Sequence, residues 1–191
     1  MLSPDVATLF SEEQRPLRRR EYDALVRLGC FDAERVELLY GRIVPMSPQG
    51  VGHGEALRRL TKLLVRAVGD QAEVQIQSPI VAIDESEPEP DVAIVPPGPY
   101  TTDHPANPWL VIEVAESSLK RDRLKADLYA ASRIPEYWLV DLSARSVVVY
   151  SEPLEGSYRR VNSFGDGDQL TLTHFGDMKI PASAVLPPPA P

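Results

Sequence analysis

Four short and almost continuous apolar runs between residues 91 and 150 constrain the fold of this chain most strongly. They read DVAIV (91–95), WLVIEVA (109–115), YWLVDL (137–142) and SVVVY (146–150). Such runs are typical of strands that are buried on both faces of a sheet. A helical pattern separates the second run from the third, and two more helices are predicted upstream. The pattern therefore indicates an α/β or α+β fold in which helices flank a sheet.

The helices are predicted at 19–28, 55–68 and about 119–132. Shorter strand-like segments extend the sheet: RVELLYGRIVPM, which turns at Gly41, then 72–77 and 79–83, and weaker strands after residue 150. The glycines of GVGHG predict a flexible loop just before the second helix.

The length of 191 residues suits one domain with its own core. We expect an N-terminal arm at 1–18, the domain at 19–182 and a proline-rich tail at 183–191. The single cysteine, Cys30, cannot form an internal disulfide, which fits a reducing compartment. Because the sequence contains neither a signal-peptide pattern nor an apolar run of about 20 residues, we expect a cytoplasmic protein without a membrane partner.

The negative charge of the chain is concentrated in one segment. The whole sequence has 20 Lys and Arg against 28 Asp and Glu, a net charge of −8. Residues 67–119 contain ten of the acids and no Lys or Arg, whereas basic residues gather in 15–66 and 120–133. This distribution excludes a protein coated with positive charge. It predicts instead an acidic region with Arg- and Lys-bearing helices beside it.

Two acids lie in apolar runs, where a charge is costly. Glu113 has apolar residues on both sides, so a buried Glu113 must be paired, hydrogen-bonded or metal-bound; otherwise it faces water at a strand end. Asp91 directly follows Pro90, which is also ordinary at the start of a strand. If the two strands are neighbours, the carboxylates would form the hard oxygen site that Mg²⁺ or Mn²⁺ prefers.

The helix after Glu113 carries polar residues at helical spacing. Asp122, Lys125 and Tyr129 are three and four residues apart, so they share one face. We expect the face with Leu124, Leu128 and Ala131 to pack on the sheet. A solvated, salt-bridged surface is the alternative explanation for the polar face.

The other motifs are weaker evidence for a catalytic or binding site. Glu37 is another acid among apolar residues, and it could simply pair with Arg35 or Arg42. GVGHG could present backbone N–H groups to a phosphate, but the Lys-Ser/Thr of a nucleotide-binding loop is missing. The sequence contains no Gly-x-Ser-x-Gly motif of a serine hydrolase and no zinc-ligand spacing.

Four segments, taken in order, resemble a known family. They are VELLYGRIVPMSP followed by His53, then PEPDVAIV, LVIEVAESS and KADLYAASRIPEYWLVD, and they cover roughly residues 20–150. The chain resembles the Uma-two family of restriction-endonuclease-like proteins, within the PD-(D/E)-x-K nuclease superfamily. Each motif alone is weak, but the ordered set is specific.

The resemblance implies a restriction-endonuclease-like mixed β-sheet with a divalent-metal site at one sheet edge. Asp91 matches the family's Pro-Asp acid, Glu113 its second acid and Glu37 the upstream acid that often completes such a site. The superfamily lysine stands two residues after the second acid, where this chain has Ala115. Lys125, on the following helix, is the position that matches the family's lysine.

The same resemblance implies accessory residues. His53 matches a family histidine, and Tyr129 lies one turn after Lys125. Asp122 precedes the lysine by three residues, where the family pattern has four. Arg133 stands where the family pattern has Gly, a helix-ending residue.

The function implied is phosphodiester hydrolysis with Mg²⁺ or Mn²⁺, with DNA as the expected partner and a homodimer as the expected assembly. Asp91 and Glu113 would ligate the metal, with the Val114 carbonyl as a further ligand, while Lys125 would orient or deprotonate the water. Glu37 would assist a second metal or hold Lys125. Two alternatives stay open: a catalytically silent nuclease fold that binds DNA or protein, and a metal-dependent hydrolase of a small phosphate ester.

Overall fold

The structure is a computed structural model that describes residues 15–116, 119–176 and 178–188. Most of the predicted N-terminal arm and the end of the predicted tail therefore lie outside the described residues. The chain divides into two compact units.

The first unit comprises Met1–Met46 and Asp84–Glu87. It contains helix α1 (Arg19–Arg27) and strands β1 (Val36–Leu39) and β2 (Arg42–Pro45). The two strands form an antiparallel hairpin, and its turn residues Tyr40 and Gly41 have φ of 49° and 71°. Two left-handed residues in succession give a turn whose twist matches that of the paired strands, so the hairpin predicted around Gly41 is present.

The second unit, Ser47–Ile83 with Pro88–Pro191, contains the large sheet. Its helices are α2 (Val51–Val68), α3 (Leu119–Ala131) and the short α4 (Ala182–Val185). The sheet strands are β3 (Glu73–Ile76), β4 (Val92–Val95), β5 (Leu110–Ala115), β6 (Glu136–Asp141), β7 (Ser146–Leu154) and β8 (Ser157–Phe164). A separate two-stranded sheet pairs β9 (Gln169–Leu172) with β10 (Met178–Pro181).

The large sheet is mixed. Its strand order is β3-β4-β5-β6-β7-β8; β5 and β6 are parallel, and the other neighbouring pairs are antiparallel. The parallel pair needs a crossover connection, which α3 provides. Because α2 packs against β3 to β5 and α3 against β5 to β8, the predicted mixed sheet with flanking helices is confirmed.

Alternation along the central strands gives each face of this sheet its own core. On one face, Val92 and Ile112 belong to the core that contains Leu60 of α2. On the other face, Val111 belongs to the core that contains Tyr129 of α3. The central strands are therefore buried on both sides, as their continuous apolar sequences predict.

The predicted flexible glycine loop is wrong. Helix α2 begins at Val51 with Gly50 as its N-cap, so most of GVGHG forms the first turn of the helix. A Cβ atom on Gly50 would lie 2.1 Å from Oε2 of Glu116. The Glu116 carboxylate therefore lies close to the backbone of Gly50, and a residue with a Cβ atom here would require this exposed, flexible side chain to move.

The predicted strand at 79–83 is also wrong. Only a single bridge from Val81 to Ala106 remains of it. The N–H groups of Ile80 and Val81 donate to the carbonyls of Pro88 and Pro105, so this segment hydrogen-bonds to proline-rich connections instead of entering the sheet.

The polar face of α3 is buried, whereas of the residues predicted to pack on the sheet only Leu128 is buried and Leu124 and Ala131 are exposed. Leu124 is 61% exposed, whereas Lys125 and Tyr129 are 5% and 0% exposed. The polar side chains turn toward the sheet because Glu113 lies beneath them and accepts their hydrogen bonds.

The packed part of the chain continues past residue 182, the predicted end of the domain. Val185 and Leu186 are buried in the core that contains Leu60. Arg59 of α2 donates to the carbonyls of Ser183 and Ala184, which holds this short helix in place. In the described ranges, no helix is both long and apolar enough to cross a bilayer.

Candidate active site

Glu113 is a buried carboxylate on the central strand β5. It follows Val111 by two residues, so its side chain points to the same face of the sheet, toward α3. Its Oε1 accepts hydrogen bonds from Lys125 Nζ at 2.9 Å and from the Tyr129 hydroxyl at 2.7 Å. Glu113 and Lys125 are each only 5% exposed. The lysine on the helix therefore reaches the acid on the strand.

Asp91 lies just before β4 and is tied to the neighbouring strand. Its Oδ2 accepts a hydrogen bond from the backbone N–H of Val114 at 2.8 Å. Val114 directly follows Glu113 on β5, which runs antiparallel to β4. The structure thus brings Asp91 to the part of β5 that carries Glu113, as the resemblance implies.

Gln77 holds Asp91 from the other side. Its Nε2 donates to Asp91 Oδ1 at 3.2 Å, and its backbone N–H donates to the Asp91 carbonyl at 3.1 Å. Gln77 has φ of 45°, a left-handed conformation that costs a non-glycine residue about 1–2 kcal/mol. Strain of this size persists where surrounding contacts enforce it, which is common at functional sites.

His53 connects α2 to the same carboxylate. Its Nε2 lies 3.0 Å from Asp91 Oδ2; because a carboxylate only accepts hydrogen bonds, Nε2 is the donor. Nδ1 of His53 is buried and has no hydrogen-bond partner among the described residues.

The surroundings of His53 favour positive charge. Burial alone would lower the pKa of the imidazole, but the hydrogen bond and charge of Asp91, with the charges of Glu116 and Asp122, outweigh burial and raise the pKa above its ordinary value. These acids make the site electronegative, so it stabilises a proton or another cation.

The remaining predicted residues are Asp122 and Glu37, one in each unit. Asp122 is buried in the first turn of α3, where the Tyr137 hydroxyl donates to its backbone carbonyl at 2.9 Å. Burial raises the pKa of Tyr137 well above its ordinary value, so this residue is a neutral donor. Glu37 is buried in β1, opposite Val44, and belongs to the first unit.

The residues of the second unit fit a magnesium-type site. Among the described residues, no three His, Cys, Asp or Glu side chains are grouped closely enough to hold a metal ion on their own. Mg²⁺, however, is usually bound by one or two carboxylates, with water and substrate phosphate in its other positions. Asp91 Oδ1 accepts one described hydrogen bond, that of Gln77, and a carboxylate oxygen has two lone pairs. Asp91 and Glu113 are therefore the residues that could hold the cation.

Sequence reasoning missed two residues of this site, Gln77 and Glu116. Gln77 is not titratable, and its sequence position at the end of AEVQIQ looks like an ordinary strand end. Glu116 lies in the acidic segment, but only the structure shows its carboxylate next to Gly50 at the start of α2. The only sequence signal for this contact is the glycine itself.

Comparison with known proteins identifies the family. The Uma2 (Uma-two) family model, described as "Putative restriction endonuclease", matches residues 19–183. The chain belongs to the Uma2 family. The Uma2 match contains all seven residues that the sequence predicts for the site, and it confirms the resemblance. No curated protein matches the chain.

A solved structure agrees with the family match at the level of the fold. A protein of Anabaena variabilis described as "a putative nuclease belonging to DUF820" has a TM-score of 0.68 with this chain at 16% identity. The alignment covers 89% of this chain and 97% of that one. At this identity the likeness shows the fold, so this Uma2 chain has a nuclease-like fold.

Proposed function

We propose that this protein is an endonuclease that hydrolyses phosphodiester bonds of DNA with a bound Mg²⁺ or Mn²⁺. The observation that carries the proposal is the buried carboxylate arrangement of adjacent strands: Asp91 bonded to Val114 N–H, and Glu113 bonded to Lys125. Carboxylate oxygens are the ligands that Mg²⁺ prefers, and the buried ammonium beside Glu113 is a group that can offset charge developing on a phosphate. The Uma2 family and the nuclease-like fold support this assignment.

The proposed ligands are Asp91 and Glu113. When bound, the cation supplies polarisation of the phosphate and a water of lowered pKa. Gln77 and His53 orient the Asp91 carboxylate and Tyr129 orients that of Glu113, so both ligands are held before the cation arrives.

Lys125 is proposed to act on the attacking water or to stabilise the negative charge of the phosphate in the transition state. Its ammonium lies 2.9 Å from Glu113 Oε1 in a buried position. From there the ammonium orients the attacking water and offsets the negative charge that develops on the phosphate, and only after losing a proton could the amine act as the base.

Cleavage assays test this proposal. Wild type, Glu113→Gln and the control Glu136→Gln would be incubated with Mn²⁺ and with duplex DNA, single-stranded DNA, RNA or bis(p-nitrophenyl) phosphate. Glu136 is also buried, but it lies on β6 with Trp138 Nε1 as its hydrogen-bond donor. We expect Glu113→Gln to lose about a hundredfold or more in rate and Glu136→Gln to keep the wild-type rate.

Three results would contradict the proposal. Cleavage by Glu113→Gln at the wild-type rate would show that Glu113 is not part of the active site. Cleavage of only the small ester would favour a hydrolase of small phosphate esters. No cleavage of any substrate by a metal-binding wild type would favour a silent nuclease fold.

We also propose a homodimer, because two symmetry-related sites can each meet one strand of a duplex and most soluble oligomers are symmetric. Light scattering is then expected to give twice the chain mass of 21.1 kDa. The mass of a single chain would overturn this part.

A further inference from the structure

Helix α2 carries positive charge within an acidic protein. Its 18 residues contain one acid, Glu55, against Arg58, Arg59, Lys62 and Arg66, a net charge of +3. The whole chain has a net charge of −8. The charge of this helix is thus opposite in sign to that of the rest of the molecule.

Three of the four bases form a stripe along the outer face of α2. Arg58, Lys62 and Arg66 are four residues apart, so they follow one another on one face, and all three are exposed. Leu60 and Leu64, on the opposite side of the helix, are fully buried against the sheet. We call Arg58, Lys62 and Arg66 the basic stripe.

Two members of the basic stripe are available for a partner. Lys62 and Arg66 make no hydrogen bond or ion pair with any residue that the structure describes. Arg58 contacts Glu55 at 2.6 Å, but an exposed pair of this kind contributes little stability and is easily exchanged. Arg59 differs from these three because it holds the carbonyls of residues 183 and 184.

The basic stripe lies on the same helix as His53, which contacts Asp91, but on the other face, because His53 is seven residues before Leu60 and shares its buried side. At about 1.5 Å per residue, Arg58 lies about 7.5 Å and Arg66 about 20 Å along the helix axis from His53. One strand of duplex DNA carries a phosphate about every 3.4 Å along its axis. The stripe of about 12 Å therefore matches about three to four phosphates, a length that a small phosphate ester bound at Asp91 does not reach.

We infer that the basic stripe of α2 binds the sugar–phosphate backbone of DNA. The choice of DNA as the polyanion rests on the proposed function, whereas the binding surface rests on the charge and exposure of α2. An acidic protein can in this way hold a polyanion, because the contacts come from one basic helix.

Salt-dependent DNA binding tests the surface. The affinity of the full chain for a labelled duplex would be measured by anisotropy without divalent metal, over a series of salt concentrations. The variant is Lys62→Gln/Arg66→Gln. The matched control is Arg159→Gln/Arg160→Gln, two exposed residues of β8, three strands away from β5. Both double variants change the net charge equally.

We expect the stripe variant to bind more weakly at low salt and to lose about 2 from the slope of log affinity against log salt, since each phosphate contact contributes about 0.9. The control is expected to keep the wild-type slope. With Mn²⁺, the stripe variant should hydrolyse bis(p-nitrophenyl) phosphate at the wild-type rate but show a higher KM for duplex DNA.

The outcomes separate this inference from the proposed function. Equal slopes for wild type and stripe variant, an equal loss in the control, or no DNA binding by wild type would overturn the inference. Stripe-dependent binding without hydrolysis of any substrate would support the surface and reject the nuclease activity. Cleavage of DNA that is unaffected by the stripe variant would support the nuclease and reject the surface.

Discussion

Glu113 and Lys125 determine the energetics of the site at the scale of single residues. Both are almost completely buried and share a hydrogen bond of 2.9 Å. Moving each charge out of water costs several kcal/mol, which their attraction and the added Tyr129 hydrogen bond offset. Each charged side chain therefore stabilises the buried charge of the other.

Removing one partner alone is expected to be costly. Lys125→Met should lower the free energy of unfolding by about 3–5 kcal/mol, because it leaves a buried carboxylate without its charge partner. Adding Glu113→Gln should restore most of the loss. Urea unfolding of the two single variants and the double variant measures this coupling, and purely additive losses would show that the pair is not coupled.

Glu87 makes the stability of the protein depend on pH. It is buried in the first unit, with Arg19 Nη1 at 3.7 Å from its Oε2. Burial, together with the charge and hydrogen bond of Asp23, raises its pKa from 4.5 to about 7. Between these values the folded protein keeps a proton that the unfolded chain has released, so stability falls as pH rises through this window.

Glu87→Gln removes this dependence. We expect the variant to become more stable relative to wild type as the pH rises from 5 to 7, and the difference to level off above pH 7. Urea unfolding at pH 5, 6, 7 and 8 measures it. A constant difference across these pH values would show that Glu87 ionises normally.

At the scale of elements, two helices carry the side chains that hydrogen-bond to the carboxylates at two adjacent strands. Helix α2 brings His53 to Asp91, and α3 brings Lys125 and Tyr129 to Glu113. The end of α3 helps to place Tyr129: its carbonyl accepts from the N–H of Ile134, while Arg133 N–H donates to the Ala130 carbonyl. This pair of bonds is the Schellman ending of a helix, which favours glycine at the position of Arg133.

Arg133 is therefore a strained residue in an otherwise regular helix ending. Its φ is 58°, and the left-handed region costs a residue with a Cβ atom about 1–2 kcal/mol. Arg133→Gly is expected to raise the free energy of unfolding by about 1 kcal/mol after the entropy cost of glycine. Arg133→Ala is the control, because it removes the charge but keeps the strain. Equal thermal stability of the two variants would contradict this explanation.

The strands were predictable from sequence, whereas several side-chain directions were not. DVAIV and WLVIEVA are apolar enough to require burial on both faces, so their place in the sheet follows from the sequence alone. The direction of the polar face of α3 depends on Glu113, a partner on another element. Its burial thus could not be read from the spacing of Lys125 and Tyr129. Gln77 was missed because its role comes from a backbone conformation that its side chain does not reveal.

At the scale of the whole molecule, the distribution of charge bears more on nucleic-acid binding than the net charge does. The net charge of −8 suggests poor affinity for a polyanion. However, acids from the segment without Lys or Arg raise the pKa of His53 and surround the proposed cation site, while α2 carries the opposite charge. The acidic composition is therefore compatible with a nucleic-acid substrate if a cation and the basic stripe act together.

Binding of Mn²⁺ tests the central claim most directly, because it requires no knowledge of the substrate. Titration of the metal would be followed by its paramagnetic resonance signal in wild type, Asp91→Asn, Glu113→Gln and the control Glu136→Gln. We predict that wild type and Glu136→Gln bind Mn²⁺ alike. Asp91→Asn and Glu113→Gln should each bind at least about tenfold more weakly, since even partners of metal ligands contribute ten- to a hundredfold. Absence of binding to wild type, or equal binding by Asp91→Asn, would contradict a metal site at this carboxylate pair.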